Sequence, residues 1–161
     1  MLVIGIVVLV ILGVALYFFK GSRKVEGDIV KVSLSTQSYY GLMNDTAVKN
    51  IQINSDGVVT FTNDYNNYVE TYNITKDEYH ELTTFIYENS SIFINGVIEN
   101  KSATDGGSSH MKIELADGKA YEIGGANISN DKYGLVYGKI LDTVGRDRFS
   151  DYKNNIIKNA E

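Results

Sequence analysis

The chain has 161 residues, with 15 Lys and Arg against 20 Asp and Glu and a net charge of −5. Without Lys20, Arg23 and Lys24, which flank an apolar N-terminus, the remainder carries 12 − 20 = −8. Phosphate neutralisation drives nucleic-acid binding, so an acidic domain without a basic stripe is not expected to bind nucleic acid. The chain has no Cys, which excludes disulfides, thiolate nucleophiles and Cys-based zinc sites.

The sequence begins with an apolar segment. Residues 1–19, MLVIGIVVLVILGVALYFF, contain no charged side chain, and about 20 helical residues span a hydrocarbon core of roughly 30 Å. A cleaved signal peptide would have a basic start, a shorter apolar run and a small-x-small cleavage site. We therefore expect residues 1–19 to be a transmembrane anchor in the lipid bilayer. A juxtamembrane linker, residues 20–28, and one soluble domain, residues 29–161, are expected to follow.

Two features give opposite indications of the side of the membrane on which the domain lies. The basic residues Lys20, Arg23 and Lys24 follow the apolar segment, and the positive-inside rule places such residues in the cytoplasm. The remainder is acidic and rich in Asn, Tyr and Ser, as exported bacterial domains are. We expect a single-pass membrane protein with an extracytoplasmic domain.

The first half of the soluble part predicts a strand, a hairpin and a further strand. Residues 29–35 alternate between apolar and polar side chains, which is typical of a half-buried strand. The alternation over residues 51–61 surrounds Asp56 and Gly57, a turn dipeptide that predicts a β-hairpin. The alternation over residues 68–74 adds a third strand to the same sheet.

A helix is predicted directly after these strands, over residues 75–89. Thr75 and Glu78 have the spacing of a capping box, and Ile74 and Tyr79 flank the cap as a hydrophobic staple does. Apolar residues at helical spacing would pack this helix on the sheet. They are Tyr79, Leu82, Phe85 and Ile86.

The second half predicts another hairpin. Residues 111–123 alternate on both sides of Asp117 and Gly118, the same turn dipeptide as in the first hairpin. Gly124 and Gly125 follow, and we interpret them as the end of the second strand. Neither belongs to a phosphate-binding fingerprint.

A second helix is predicted to begin near Ser129 and to end at Gly145, and the spacing of apolar residues over 149–157 indicates a terminal helix. Residues 73–79 align with residues 127–133, and each segment follows a hairpin that turns on Asp-Gly. This similarity indicates either a pseudo-repeat of hairpin and helix or two helices that acquired good caps independently.

With the ITKDEYHELTTFI helix and the KIELADGKAYEIGG hairpin, the part from Ile29 to Val144 looks like the small uncharacterised exported or membrane-anchored domains of Gram-positive bacteria. That resemblance implies an extracytoplasmic α+β domain and brings no catalytic residues. The hairpin-helix duplication is also similar to β-lactamase-inhibitor-like domains, without a clear match in element order. The expected fold is α+β, an antiparallel sheet with helices 75–89 and 130–144 packed on one face.

His80 and His110 are the leading candidates for metal or acid-base chemistry. The chain has no Cys, so a metal would also need carboxylates such as Asp105. Neither histidine belongs to an HExxH motif, and a solvated surface histidine is the commoner situation. We predict no catalytic, metal-binding or cofactor-binding residue and no cofactor.

Five tyrosines are candidates for an interaction surface: Tyr39, Tyr40, Tyr65, Tyr68 and Tyr72. Tyrosine offers a large contact area at low cost in conformational entropy. The alternative interpretation is ordinary packing of strand tyrosines on a face of the sheet.

The sequence favours a non-enzymatic, membrane-tethered binding or assembly module that acts on a protein or cell-envelope partner. Such a module predicts a contiguous exposed apolar or aromatic patch. The alternative is a small hydrolase or metal-dependent enzyme that uses His110, His80 and nearby carboxylates, which requires two of these groups to converge in one pocket. A purely structural anchor protein is a third possibility.

Overall fold

The computed structural model describes residues 24–39, 48–64, 67–97 and 106–150. They form an α+β fold in which helices pack on one six-stranded antiparallel sheet. The strands are β1 (Ile29–Ser38), β2 (Lys49–Asn54), β3 (Val58–Asn63), β4 (Tyr68–Asn73), β5 (Gly107–Leu115) and β6 (Ala120–Ala126), and the helices are α1 (Lys76–Asn89), α2 (Ser91–Asn95) and α3 (Asp131–Val144).

Strand β1 lies in the interior of the sheet, whose strand order is β4-β3-β2-β1-β5-β6. It pairs antiparallel with β2 on one side and with β5 on the other, so it joins the β2–β4 meander to the β5–β6 hairpin. The predicted turns at Asp56–Gly57 and Asp117–Gly118 are confirmed. Gly57 and Gly118 have φ angles of 87° and 86°, a left-handed conformation that glycine adopts without a Cβ penalty.

Helices α1 and α3 cover one face of the sheet, as predicted. Alternate residues of the strands point to that side and are buried, as the period of two requires. They meet an apolar stripe from each helix, and every fully buried aliphatic side chain stabilises the fold by about 1.5–3 kcal/mol. The most completely buried side chains include Val32, Leu34, Ile51, Ile53, Phe61, Met111 and Ile113 from the strands, and Leu82, Ile86 and Ile140 from the helices.

The two long helices have different N-terminal caps. In α1 the capping box is confirmed, because the Glu78 N–H donates to Thr75 Oγ1 at 3.2 Å and the Thr75 N–H donates to Glu78 Oε2 at 2.7 Å. In α3 the cap is Asn130, whose Oδ1 accepts from the Tyr133 N–H at 3.0 Å. The residue aligned with Thr75 was Ser129, so the caps are out of register by one position. The structure favours two independently capped helices.

The two ends of the chain extend beyond the described part. The predicted anchor, residues 1–19, lies outside it, and residues 146–150 are the only described helical part of the predicted terminal helix. Within the described ranges, no helix is long and apolar enough to cross a bilayer. The predicted linker is described from Lys24 onward, and there Val25 is only 4% exposed. The last residues of that segment are therefore packed on the domain.

Replacing Tyr79 with Phe should change how stability depends on pH. The Tyr79 hydroxyl donates to the Ile29 carbonyl at 3.0 Å, and burial raises its pKa from 10.0 to about 12. In the unfolded chain this group ionises near pH 10, so its stabilisation is complete below that pH and is lost as the pH rises towards 12. We expect Tyr79→Phe to cost about 1 kcal/mol at pH 7 and to flatten the alkaline loss of stability.

Urea unfolding followed by circular dichroism from pH 7 to pH 11.5 measures both effects. Parallel curves for the wild type and Tyr79→Phe over the alkaline range would show that this hydroxyl does not ionise differently in the folded and unfolded chains.

Candidate binding groove on the open face of the sheet

The sheet face opposite the helices, here called the open face, is polar. Side chains of successive strand residues point to opposite faces. The residues that alternate with the buried positions therefore lie together on this side. The open face includes Lys31, Ser33, Ser35, Asn50, Gln52, Thr60, Thr62, Val69, Thr71, His110, Lys112, Glu114 and Glu122. The charged residues of the open face lie on β1, β5 and β6. The half formed by β2–β4 is uncharged, and its Val69 is apolar.

A groove runs along β1 in the middle of the open face. Ser33 and Ser35 form its floor, because their side chains are smaller than those of the residues that pair with them on β2 and β5. Ser33 pairs with Gln52 on β2 and Lys112 on β5. Ser35 pairs with Asn50 on β2 and His110 on β5. The walls are Asn50 and Gln52 on one side and His110 and Lys112 on the other. These six residues define the β1 groove.

The dimensions of the β1 groove suit an extended chain. Its walls are two strand spacings apart, roughly 9.6 Å between backbones. The cleft that includes the groove has a volume of about 360 Å³, within the range of about 300–1,000 Å³ that is usual for ligand sites. Strands hold these walls in place more rigidly than loops would.

Three charged side chains close one end of the groove. Glu114 Oε1 lies 3.2 Å from Lys31 Nζ on the neighbouring strand and 2.9 Å from Lys112 Nζ on its own strand. The hydrogen bond from Lys112, followed by the one from Lys31, holds the pKa of the Glu114 carboxyl below its usual value. The same bond to Glu114 raises the pKa of Lys112. Glu114 and Lys112 are therefore charged and paired at neutral pH.

The His110 ring lies over a glycine of the neighbouring strand. His110 pairs with Gly124 on β6, and its Nδ1 lies 3.6 Å from Glu122 Oε1. A Cβ at position 124 would be 2.5 Å from Cγ and Nδ1 of this ring and 2.5 Å from the Ser109 carbonyl oxygen. The absence of a side chain at Gly124 therefore makes room for the imidazole beside Glu122.

The interpretation of Gly124 and Gly125 as the end of a strand is wrong. Strand β6 continues through both residues to Ala126. Glycine within a strand commonly marks a close approach of another group, and here that group is the His110 ring. Sequence reasoning gave no register for β5 and β6. Counting outward from Asp117–Gly118 would place residue 125 opposite His110, whereas the observed register is shifted by one residue and places Gly124 there.

The structure places the two histidines on opposite sides of the sheet. His110 lies on the open face, whereas His80 is exposed on α1, which covers the other face. They therefore do not converge in one pocket, and Asp105 lies outside the described residues. The ion-pair partner that the structure gives to His110 is Glu122, a residue that the sequence did not single out.

The five candidate tyrosines have different environments. Tyr39, directly after β1, is 45% exposed. Tyr68 and Tyr72 are half-buried on β4 and pack against the core on the helix-covered side. Tyr40 and Tyr65 lie outside the described residues. An interaction surface formed by all five stays a prediction.

Tyr72 has contacts typical of a packed side chain. Its hydroxyl donates to the Val144 carbonyl at 2.5 Å, and its ring centroid is 5.7 Å from that of Phe61. The Arg148 guanidinium lies 4.3 Å from the ring centroid on the other side. Burial raises the pKa of Tyr72 to about 12. For Tyr72, the structure therefore agrees with the alternative interpretation, in which a strand tyrosine packs on a face of the sheet.

Large apolar side chains that are exposed in the described ranges lie on separate elements. They follow β1 or belong to β4, α2 and α3: Tyr39, Val69, Ile94 and Leu135. They do not form the contiguous apolar patch that the binding hypothesis predicted from sequence. The polar open face is a larger surface feature of the described residues than any of these separate apolar side chains.

Compared with models of known protein families and with curated proteins, the sequence gives no match. Within the described ranges, no group of three or more His, Asp and Glu side chains is arranged to hold a metal ion. The chemistry available in the β1 groove is hydrogen bonding by hydroxyl and amide groups together with ion pairing at its end.

A side chain at position 124 should destabilise the fold. We expect Gly124→Ala to cost about 1–3 kcal/mol, as overpacking does, because the methyl group would collide with the His110 ring and the Ser109 carbonyl. The matched control is Gly134→Ala on α3, where a Cβ meets no atom within 4 Å and should gain about 0.5–1 kcal/mol from helix propensity. Urea unfolding measures both, and stabilisation by Gly124→Ala would contradict the packing described here.

The Glu114 pKa should depend on its two lysines. We expect the carboxyl pKa of Glu114, measured by NMR titration, to lie below the ordinary value of 4.5. Lys112→Met should raise it more than Lys31→Met, since the Lys112 hydrogen bond is the larger cause. A depressed pKa means that ionised Glu114 stabilises the fold above the unfolded-state pKa, and this stabilisation is lost as the pH falls through its folded-state pKa.

Lys119→Met is the control for this titration, because Lys119 pairs with Asp117 at 2.7 Å and not with Glu114. It should leave the Glu114 pKa unchanged. Equal effects of the three lysine substitutions would indicate a general charge effect in place of the specific hydrogen bonds.

Proposed function

We propose that the protein is a membrane-tethered, non-enzymatic binding or assembly module with its domain on the extracytoplasmic side. In this proposal the apolar residues 1–19 hold the chain in the bilayer, as in the exported or membrane-anchored domains of Gram-positive bacteria that the sequence resembles. The partner is a protein or a component of the cell envelope, and it binds to the β1 groove as an extended polar segment.

The observation that carries this proposal is the groove along β1, on a sheet face that none of the described helices covers. Its side chains project from the interior strands of the sheet, where the backbone hydrogen bonds to both neighbours restrict movement. Serine and asparagine provide adaptable hydrogen bonds in protein recognition surfaces. The Ser33 and Ser35 hydroxyls and the Asn50 and Gln52 amides can donate to and accept from a polar chain along the groove.

The charges of the open face favour a partner segment with little net charge. Lys31 and Lys112 are balanced by Glu114 and Glu122 when His110 is neutral. The Glu114 carboxylate already has two lysine partners, and a ligand that displaced one would pay a desolvation cost. A neutral polar segment can occupy the floor of the groove without breaking these ion pairs.

The enzyme hypothesis has less support. It required His80, His110 or nearby acids to converge, and the two histidines lie on opposite sides of the sheet. The His110–Glu122 pair is exposed, with side-chain exposures of 46% and 59%. Direct acid-base catalysis is more effective in sites that exclude water. The pair is better placed to contact a ligand on the wall of the groove.

Photocrosslinking from the groove tests the proposal. A photoreactive amino acid at position 35 in the full chain, expressed in its native membranes, should give a discrete covalent adduct. The same amino acid at position 71, on the open face but on edge strand β4, should not. Identical adducts from both positions, or none from position 35, would contradict a binding site in the groove.

The affinity of the purified partner then provides a quantitative comparison. Ser33→Gln lengthens a side chain on the floor of the groove, whereas Thr71→Gln introduces the same side chain outside it. We expect Ser33→Gln to weaken binding by about tenfold, equivalent to about 1.4 kcal/mol, and Thr71→Gln to leave it unchanged. Equal dissociation constants for the two variants would place the binding site elsewhere.

A further inference from the structure

The chain enters the domain through a segment that is attached to the fold at several points. The Val25 side chain is buried in the core, and its N–H donates to Ser90 Oγ at 3.1 Å. The Tyr87 hydroxyl donates to the Gly27 carbonyl and accepts from the Ile29 N–H, the latter at 2.9 Å. In the described residues, the chain is therefore attached to the domain from Val25 onward.

The same segment also lies beside both hairpin turns. The Asp28 carbonyl accepts from the Ala116 N–H at 2.8 Å, next to the β5–β6 turn. The Val30 carbonyl accepts from the Ser55 N–H at 2.9 Å, in the β2–β3 turn. The start of β1 and these two turns therefore form one end of the sheet, here called the entry end.

The opposite end of the sheet contains the end of β1 and the start of β5. The Tyr39 N–H donates to the Gly106 carbonyl at 2.9 Å, and the Asn127 N–H donates to the Gly107 carbonyl at 3.0 Å. Ser129 follows closely and is exposed. This far end is separated from the entry end by the length of β1, whose 10 residues span about 33 Å at roughly 3.3 Å per residue.

The chain between the predicted anchor and Val25 is short. From Phe19 to Val25 there are six Cα–Cα steps, which reach at most about 22 Å when fully extended. A domain of this size is about 35 Å across, from the usual scaling of the radius of gyration with chain length. The connection cannot pass around the domain, so the far end cannot face the membrane while the entry end points away from it.

We infer that the entry end faces the bilayer and the far end points away from it, an inference that rests on the proposed anchor. In this orientation the entry end lies next to the lipid headgroups. The charged residues of the entry end, Lys24, Glu26, Asp28, Asp56, Asp117 and Lys119, sum to −2. An acidic surface does not adhere to anionic lipids, so the short connection, and not adhesion, sets the orientation.

This orientation defines how a partner reaches the β1 groove. The groove follows β1, which runs from the entry end to the far end. It therefore lies on the side of the domain, along the direction that leads away from the membrane. A partner segment can enter it from the far end without contact with the bilayer.

Fluorescence energy transfer to the membrane surface tests the orientation. The natural chain has no Cys, so S55C at the entry end and S129C at the far end each give a single labelling site. The labelled full chain is reconstituted in phosphatidylcholine vesicles with an acceptor dye on a small fraction of headgroups. We expect a larger loss of donor fluorescence for S55C than for S129C.

A long insertion provides the control. About 30 Gly and Ser residues placed after Lys20 add a flexible segment with a root-mean-square length of about 30 Å, which should abolish the difference between the two labels. Equal transfer in the natural chain, or greater transfer for S129C, would overturn the inferred orientation.

Flotation of the same vesicles separates this outcome from a failure of the anchor. Chain that floats with the lipid but shows equal transfer overturns the orientation alone. Chain that stays at the bottom of the gradient overturns the anchor, and with it the orientation that depends on it.

Discussion

The pairing of β1 on both sides is the constraint on which the rest of the structure depends. This strand joins the β2–β4 meander to the β5–β6 hairpin in one sheet, since no other strand pairs with both β2 and β5 in the described residues. Val32 and Leu34 face the helices and are 1% exposed, while Ser33 and Ser35 alternate with them and lie on the open face. The strand therefore contributes to the core and forms the floor of the groove, because successive residues of a strand face opposite sides.

Tyrosine hydroxyls attach this strand and its neighbours to the helix layer. Tyr79 and Tyr87 of α1 bind backbone groups at the start of β1, and Tyr72 of β4 donates to the end of α3 at Val144. A buried hydroxyl needs a hydrogen-bond partner, and the Ile29 and Val144 carbonyls are the partners of Tyr79 and Tyr72. These bonds fix where the chain enters the domain. The inferred orientation of the domain at the membrane therefore depends on these tyrosine hydrogen bonds.

The two faces of the sheet differ in composition and in what they contribute to the core. The described helices pack on one side of the sheet, so substitutions there change the core, whereas substitutions on the open face remove little apolar burial. On the open face the ion pairs of Glu114 and the His110–Glu122 pair lie beside uncharged hydroxyl and amide groups. A binding site made of such groups has no sequence motif, because hydrogen-bonding side chains at alternate positions are also the ordinary pattern of a solvated strand.

The sequence by itself determined the elements of the described domain: the alternating strands, the two Asp-Gly hairpins, the capping box at Thr75 and the helical stripe that begins at Tyr79. These are local features, in which residues within four positions of each other satisfy one another's hydrogen bonds or share a face. Only the tertiary structure decided that β1 pairs with both β2 and β5, that Gly124 lies under His110, and that Val25 belongs to the core. Each of these facts joins residues distant in sequence or across a hairpin, and no local propensity specifies which distant strand or helix a given face will meet.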